Sequence, residues 1–274
     1  EFIFKTFSWK HCEKYLCGTD LQALLQVTNT ENKKTILMLA SQYQPNALNC
    51  LLNTLEAMND EGEQAKQLGM VDEDGFTALM FAAKYHQNAV THIVNSISRL
   101  KCRDTQRSLL IRVNQCGRTA LMIASRYQPN SVTLILGKVF KLYEDNEKFT
   151  HLENQDNGGY TALMHAAQRQ PDALFKILQF IFSCNNKLKL LKQLRLTNAD
   201  GQTPLMLAVQ HQIKSVPYML DAIDKLDDTD QQAAIISKIN NAKHQDFIHR
   251  ENSQFRWNAL MIAARYQPDA VRPL

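Results

Sequence analysis

The stretch Thr119-Ala-Leu-Met-Ile-Ala124 recurs along the chain with little change. Together with copies that begin at Thr35, Thr77, Thr161 and Thr203, it places five threonines at constant steps of 42 residues. A sixth copy begins at Asn258, after a longer step of 55 residues. Four equal steps of this length do not arise by chance, so the sequence predicts a structural unit that is repeated along the chain.

Each copy carries the local signals of a helix pair. Asp74-Gly75 and Asp200-Gly201 are turn dipeptides, and the threonine that follows can cap a helix by accepting a hydrogen bond from an unpaired backbone N–H. Gln-Pro, as in Gln128-Pro129, ends this first helix and places proline at the first position of a second helix.

The unit is longer than a helix pair requires. A helix-loop-helix of about 33 residues leaves roughly nine residues over in each 42-residue unit. The residues after the second helix are apolar at helical spacing, for example in 188–196. They either lengthen the second helix or form a short third helix, and we favour the third helix.

The composition is that of a folded protein with few special features. Of the 274 residues, 45% are hydrophobic and 21% are charged, which excludes a wholly disordered chain. Gly (9) and Pro (7) are too scarce for an all-β protein rich in tight turns. The net charge of +4 is weak evidence for nucleic acid, and no apolar run reaches the ~18 residues that span a bilayer. We therefore expect neither a nucleic acid nor a membrane as the partner.

The sequence lacks the motifs of the common enzyme classes. There is no phosphate-binding loop, no H-E-x-x-H and no G-x-S-x-G. His11, Cys12 and Cys17 match no common metal spacing, and the acidic cluster in 221–230 lacks the ligand order of a calcium loop. We predict no catalytic residue, no metal and no cofactor in this chain. The six cysteines form no Cys-x-x-Cys pair, which is typical of free thiols in a reducing, cytoplasmic compartment.

One segment is basic and amphipathic. In 186–196, Lys187, Lys189, Lys192 and Arg195 alternate with leucines. Such a helix can bind acidic partners or a membrane surface. It can equally be a core-facing helix with a solvated side, which is the more common outcome.

The repeat resembles the ankyrin family. The fifth copy, 200–208, reads Asp-Gly-Gln-Thr-Pro-Leu-Met-Leu-Ala and is nearest to the family pattern D-G-x-T-P-L-H-x-A. The resemblance runs from about Leu21 to the end and implies a solenoid in which neighbouring units stack. We therefore predict an all-α, ankyrin-like helical repeat solenoid with extended units, each of two helices plus an extra short helix.

Three departures from the ankyrin pattern are consistent. The unit has 42 residues rather than 33, and Gln-Pro replaces the family's Gly-His between the helices. The family's histidine after the leucine normally hydrogen-bonds across the turns, so this stack must hold its loops differently, and β-hairpin fingers are not assured. That histidine is a methionine in all six units: Met38, Met80, Met122, Met164, Met206 and Met261.

We predict an N-terminal capping segment over 1–30 and repeats over 31–274, with five to six units of which the last is truncated. Glu1-Phe2 resembles a cloning remnant, and we expect the sequence to be a piece of a longer protein. Long, divergent repeats rich in Asn, Gln and Lys also resemble those of effectors that intracellular bacterial pathogens inject into host cells. This second resemblance implies action in the host cytosol.

The resemblance also implies a binding face. The groove of an ankyrin solenoid uses the fourth and eighth residues after the threonine, and here these positions and the seventh form a ladder of tyrosine, apolar and cationic residues. Tyr and Arg often supply the binding energy of protein interfaces, although such tyrosines can also simply fill space between helices. The predicted partner-binding residues are Leu39, Tyr43, Phe81, Lys84, Tyr85, Ile123, Arg126, Tyr127, His165, Arg169, His211, Arg265 and Tyr266.

The fourth unit departs from the chain's own consensus. His165 and Arg169 replace an apolar residue and a tyrosine, and His211 follows in the next unit. These three residues form a polar gap in the ladder, which could receive a carboxylate or a phosphate. The alternative is sequence drift at a solvated position.

We therefore predict a monomeric, non-enzymatic scaffold that binds a partner protein of unknown identity through the concave first-helix face. A host protein is the implied partner if the chain is an effector. One alternative is the substrate-recruiting repeat region of a larger enzyme whose catalytic domain lies outside this sequence. A weaker one is a phospholipid or nucleic-acid binder that uses scattered basic residues.

Overall fold

The computed structural model describes residues 31–143 and 149–226, with the single positions 25, 28, 29, 232 and 235. Within them the fold is all-helical, as the sequence predicts. The chain divides into two compact units, Glu1–Lys148 and Phe149–Leu274, which are described separately. Most of the predicted capping segment and the whole sixth copy of the repeat lie outside the described residues, so the predicted domain boundaries stay predictions.

The described part of the first unit holds three repeats. The first repeat has α1 (Ile36–Tyr43), α2 (Pro45–Ala57) and α3 (Glu61–Gly69). The second repeat has α4 (Ala78–Tyr85), α5 (Gln87–Arg99) and α6 (Arg103–Ile111). The third repeat is described for α7 (Ala120–Tyr127) and α8 (Pro129–Leu142).

The described part of the second unit starts with the short helix α9 (Thr150–Glu153), which has the register of α3 and α6. The fourth repeat follows as α10 (Ala162–Arg169), α11 (Pro171–Ser183) and α12 (Lys187–Arg195). The fifth repeat has α13 (Pro204–His211), a single 3₁₀ turn at Ile213–Ser215 and α14 (Val216–Asp224). The extra third helix that the sequence favoured is therefore present as α3, α6, α9 and α12.

The repeated threonine is the N-cap of the first helix in all five described repeats. Its hydroxyl accepts a hydrogen bond from the backbone N–H of the methionine three residues later, at 3.2–3.3 Å. Such a cap is worth about 1 kcal/mol. Proline occupies the first turn of the second helices α2, α8 and α11, as the Gln-Pro motif predicts.

First helices pack on first helices, and second helices on second helices. In the first unit α4 packs on α1 and α7, and α5 packs on α2 and α8; in the second unit α10 packs on α13, and α11 on α14. The Leu-Met pair of every described copy is at most 3% exposed. The five copies therefore share one environment, which a repeated unit requires.

A second buried pair repeats on the third helices, and sequence analysis missed it. The second member is always leucine, and the first member, also buried, is glutamine, leucine or histidine. The four pairs are Gln67-Leu68, Leu109-Leu110, His151-Leu152 and Gln193-Leu194, at steps of 42 residues. Burial lowers the pKa of His151 to about 4.

The loops are held by a buried Asp or Asn before each turn. Its side-chain Oδ1 accepts two backbone N–H groups, two and four residues later, at 2.8–3.1 Å. These hydrogen bonds order the loops. The four residues are Asp72, Asn114, Asp156 and Asn198.

Successive loops also bind each other through the backbone. The N–H of Gln115 donates to the carbonyl of Asp74 at 3.0 Å, and the N–H of Ala199 donates to the carbonyl of Gly158 at 2.9 Å. The glycine of the turn makes this approach possible, because Gly75 and Gly159 have φ of 79° and 76° and lie directly beneath the next loop. The described residues contain two isolated β-bridges and no β-hairpin.

We predict that Gly159→Ala destabilises the second unit more than Gly201→Ala. Both glycines have left-handed φ angles, 76° and 74°, so both substitutions carry the same backbone strain. At Gly159 an added Cβ would also lie 2.6 Å from the backbone nitrogen of Ala199, whereas at Gly201 no described atom lies within 4 Å. Urea unfolding should show a further loss of roughly 1–3 kcal/mol for Gly159→Ala. Equal losses in the two variants would contradict the close loop stacking.

A second prediction concerns acid stability. The pKa of His151 is depressed to about 4 in the folded chain, so below the unfolded value of 6.5 the unfolded chain binds more protons. Stability should therefore fall as the pH drops from 6.5 to 4, by about 3 kcal/mol from this residue. His151→Leu, which copies Leu109, should remove this part of the pH dependence in denaturant titrations. Parallel curves for wild type and variant would show that the ring is not buried.

Candidate functional site

The first helices of the first unit carry a face of aromatic rings and cations. Tyr85 and Tyr127 are 37% and 42% exposed, and Tyr43 is half-buried. The rings of Tyr85 and Tyr127 are thus not enclosed between helices, as the space-filling alternative would require.

The residues four positions after the threonine lie beneath this face. Leu39, Phe81 and Ile123 are at most 7% exposed, and Leu207 of the fifth repeat is fully buried. These side chains lie in the contact between adjacent first helices. The expectation that Leu39, Phe81 and Ile123 touch a partner is therefore corrected, because they support the face from below.

Cations lie on the rings of this face. The Nζ of Lys84 is 5.0 Å from the ring centre of Tyr85 and 5.8 Å from that of Tyr127 on the next helix. The guanidinium of Arg126 is 5.6 Å from the ring centre of Tyr127. These are cation–π distances, each worth about 0.5–1 kcal/mol at an exposed site.

The N-terminal side of the face has the same chemistry. The Nζ of Lys34 lies 4.7 Å from the ring centre of Phe81, and Phe81 stacks on Tyr85 at 6.5 Å. Contacts between cations and aromatic rings thus link the first three repeats. We use the name aromatic–cation ladder for Lys34, Phe81, Lys84, Tyr85, Arg126 and Tyr127.

Two residues that sequence analysis missed join the C-terminal ends of successive first helices. The Nε2 of His86 donates to the carbonyl of Gln42 at 3.1 Å, and the Nε2 of Gln128 donates to the carbonyl of Tyr85 at 3.3 Å. His86 and Gln128 occupy the same position of the repeat, one residue after the exposed tyrosine. For Gln128 the signal was present in the Gln-Pro motif, and here the glutamine side chain ties α7 to α4.

In the second unit, the predicted polar gap is not a single open site. His165 is buried, with a side chain 2% exposed, and its Nε2 is 3.0 Å from Oδ2 of Asp156. Its ring also stacks on Tyr160 at 5.2 Å. The prediction that His165 faces a ligand is therefore wrong, because its edge is turned to a buried carboxylate.

Arg169 and His211 differ from His165 in being exposed. Partial burial of the His211 ring lowers the pKa of His211, and the positive charge of Arg169 lowers it further. These two residues stay available to a partner. Arg265 and Tyr266 lie outside the described residues.

His165 pairs with Asp156, the loop residue of its own repeat. The Oδ1 of Asp156 orders its loop, and its Oδ2 faces His165. In the third and fifth repeats the loop residue is Asn114 or Asn198, and the fourth-position residue is apolar. In the second repeat the loop residue is also a carboxylate, Asp72, with Phe81 at the fourth position, so among the described repeats only the fourth pairs its loop carboxylate with an imidazole.

We predict a compensating pair of substitutions at this position. His165→Leu should destabilise the second unit by roughly 3 kcal/mol, because it takes the imidazole away from a carboxylate that is 1% exposed. The double variant Asp156→Asn/His165→Leu, which copies Asn198 and Leu207, should recover most of this loss. Thermal and urea unfolding of the two variants measure the difference. A double variant no more stable than His165→Leu would refute the pairing.

The basic helix α12 is partly engaged within the fold. The amines of Lys189 and Lys192 lie 3.2 and 2.5 Å from the carboxylate oxygens of Glu153. Burial alone would raise the pKa of Glu153, but the hydrogen bonds from Lys192 and Lys189 outweigh it and lower the pKa. Leu188 is 76% exposed on the same helix. The segment is thus a packed helix with a solvated side.

Other chemistry is sparse among the described residues. Cys102, Cys116 and Cys184 are free thiols. Within ranges 31–143 and 149–226, no three His, Cys, Asp or Glu side chains are grouped so that they could hold a metal ion. Each described helix falls short, in length or in apolar character, of what a membrane crossing requires.

Comparison with known proteins places the fold but not the family. No protein-family model and no curated protein matches the chain. Among solved structures, a chain from the complex of the Bd0816 predatory endopeptidase of Bdellovibrio bacteriovorus with the immunity protein Bd3460 matches with a TM-score of 0.50. It is 19% identical, and the match covers 90% of this chain and 97% of that chain. At this identity the likeness concerns the fold alone.

Proposed function

We propose that this chain is a non-enzymatic, ankyrin-like solenoid that binds a partner protein through its first-helix face. The observation that carries the proposal is the aromatic–cation ladder. It presents Tyr85 and Tyr127 to solvent from successive helices, with Lys84 between their rings. We keep the ankyrin and bacterial-effector resemblances as part of this proposal, with a cytosolic host protein as the implied partner.

The solenoid arrangement is supported by the equivalence of the repeats. In both units the first helix packs on the first helix of the next repeat, and the loop N–H donates to the loop carbonyl of the repeat before it. Each described repeat thus gains its core mainly from its neighbours, as in other repeat proteins.

The ladder is suited to protein binding because its rings are already ordered. Phe81 stacks on Tyr85, Lys84 lies over the rings of Tyr85 and Tyr127, and Arg126 lies over Tyr127. Little side-chain freedom remains to be lost when a partner covers these rings, so more of the buried area contributes to affinity. Tyrosine and arginine are also the residue types that most often dominate interfaces.

The structural comparison is consistent with a binding role. The matched chain comes from a complex of two proteins, an endopeptidase and an immunity protein. Transfer of partner binding to the present chain is our inference.

We predict that Tyr85→Ala/Tyr127→Ala strongly weakens partner binding without unfolding the chain. Where each tyrosine is a hot spot worth roughly 2 kcal/mol, loss of both should weaken binding by roughly 4 kcal/mol, which is about a thousandfold. Quantitative affinity capture from host cells, followed by purification of the recovered partner and titration, measures the change. Circular dichroism checks the fold of the variant.

The matched control is Phe175→Ala/Leu188→Ala. These two apolar side chains are 41% and 76% exposed, and they lie on α11 and α12 rather than on a first helix. The control should retain the partner. Equal recovery of the partner by a folded Tyr85→Ala/Tyr127→Ala variant would reject the first-helix face as the binding site.

A further inference from the structure

The chain sorts its charges between the faces of its repeats. The first helices and the residue before each capping threonine, at 34–43, 76–85, 118–127, 160–169 and 202–211, contain no Asp or Glu, although the chain has 27 of them. The same segments contain Lys34, Lys84, Arg118, Arg126 and Arg169. The first-helix face is therefore cationic in a chain whose charges nearly balance.

The carboxylates pair with lysines and arginines that lie outside the first helices. Apart from the His165–Asp156 pair, the ion pairs of the described residues involve cations of second and third helices or of the turn after α14, such as Arg99 with Glu56 and Lys189 with Glu153. In the part of the chain that the structure describes, Lys84 and Arg126 are half-buried and lie on aromatic rings rather than on carboxylates. Their charge is thus left for a partner.

We infer that the aromatic–cation ladder recognises an extended acidic segment of the partner protein. This inference rests on the proposed function and names the chemistry of the partner. Adjacent packed helices lie about 8–10 Å apart, and an extended polyproline II segment rises about 3.1 Å per residue with three residues per turn, so its side chains three positions apart lie on one side. Acidic residues three positions apart therefore match the separation of Lys84 and Arg126 on successive helices.

The ring contacts favour a carboxylate over a nucleic acid. Single-stranded nucleic acids bind by stacking bases on open aromatic faces. Here Lys84 lies over both tyrosines, Arg126 lies over Tyr127 and Phe81 stacks on Tyr85. A base would have to displace these groups, whereas a carboxylate can bind the outward side of the cations and leave the rings in place.

The test is selection of random peptides displayed on phage against the whole chain. Three proteins are compared: wild type, Lys84→Glu/Arg126→Glu, and the control Lys101→Glu/Arg103→Glu, which changes the net charge equally at two exposed residues outside the ladder. Wild type and control should enrich peptides with Asp or Glu three positions apart. The variant Lys84→Glu/Arg126→Glu should bind the best acidic peptide at least about tenfold more weakly, and it should enrich basic peptides instead.

The outcomes separate this inference from the proposed function. Selected peptides that are not acidic, yet require Tyr85 and Tyr127, would overturn the acidic preference and leave the binding face standing. Acidic peptides that still bind Tyr85→Ala/Tyr127→Ala would remove the ladder as their site. A labelled single-stranded oligouridine is the probe for nucleic acid. The inference would be overturned in favour of a nucleic acid if wild type bound this oligouridine more tightly than any selected peptide and Lys84→Glu/Arg126→Glu lost that binding.

Discussion

The structure depends on the contact between successive first helices. Each of these helices has eight residues, and its Leu-Met pair and following alanine are buried on packing against the neighbouring repeat. An eight-residue helix is too short to be stable alone in water, so its stability comes from tertiary packing. The threonine cap and the ordered loop fix where each helix begins, and the fixed starting point aligns equivalent residues across the stack. The ladder is a consequence of this alignment.

The repeat, its helix pair and its capping groups could be predicted from the sequence, because they depend on local chemistry that recurs at a constant spacing. Thr119 before an apolar run and Pro129 after it are such signals, and the structure uses both as expected. The third helix was also within reach, since its leucines recur. Its buried partner position was not, because Gln67, Leu109, His151 and Gln193 share a place in the fold without sharing a chemical type.

The site was only half predictable for a related reason. Sequence position located Tyr85, Lys84, Tyr127 and Arg126 on one face, and the structure brings them together. Burial could not be derived from position alone, so Phe81 and His165 were expected at the surface. The pairing of His165 with Asp156 spans nine residues and two elements, and nothing in a single repeat indicates it. The loop Asp or Asn had a signal in its 42-residue spacing, but its role appears only when the backbone N–H groups around it are in place.

Separation of charges gives the two sides of a repeat different tasks. Second and third helices use ion pairs, such as those of Glu153, to hold packed surfaces together. First helices have no acidic residue, and two of their cations rest on rings. The arrangement leaves one face ordered, aromatic and cationic, which is the face that a repeat protein can extend simply by adding repeats.

A structure of the chain bound to its captured partner tests the central claim most directly. We predict that the partner covers the rings of Tyr85 and Tyr127 and places acidic side chains against Lys84 and Arg126. A partner seated on the second or third helices, with both rings still in solvent, would contradict the account.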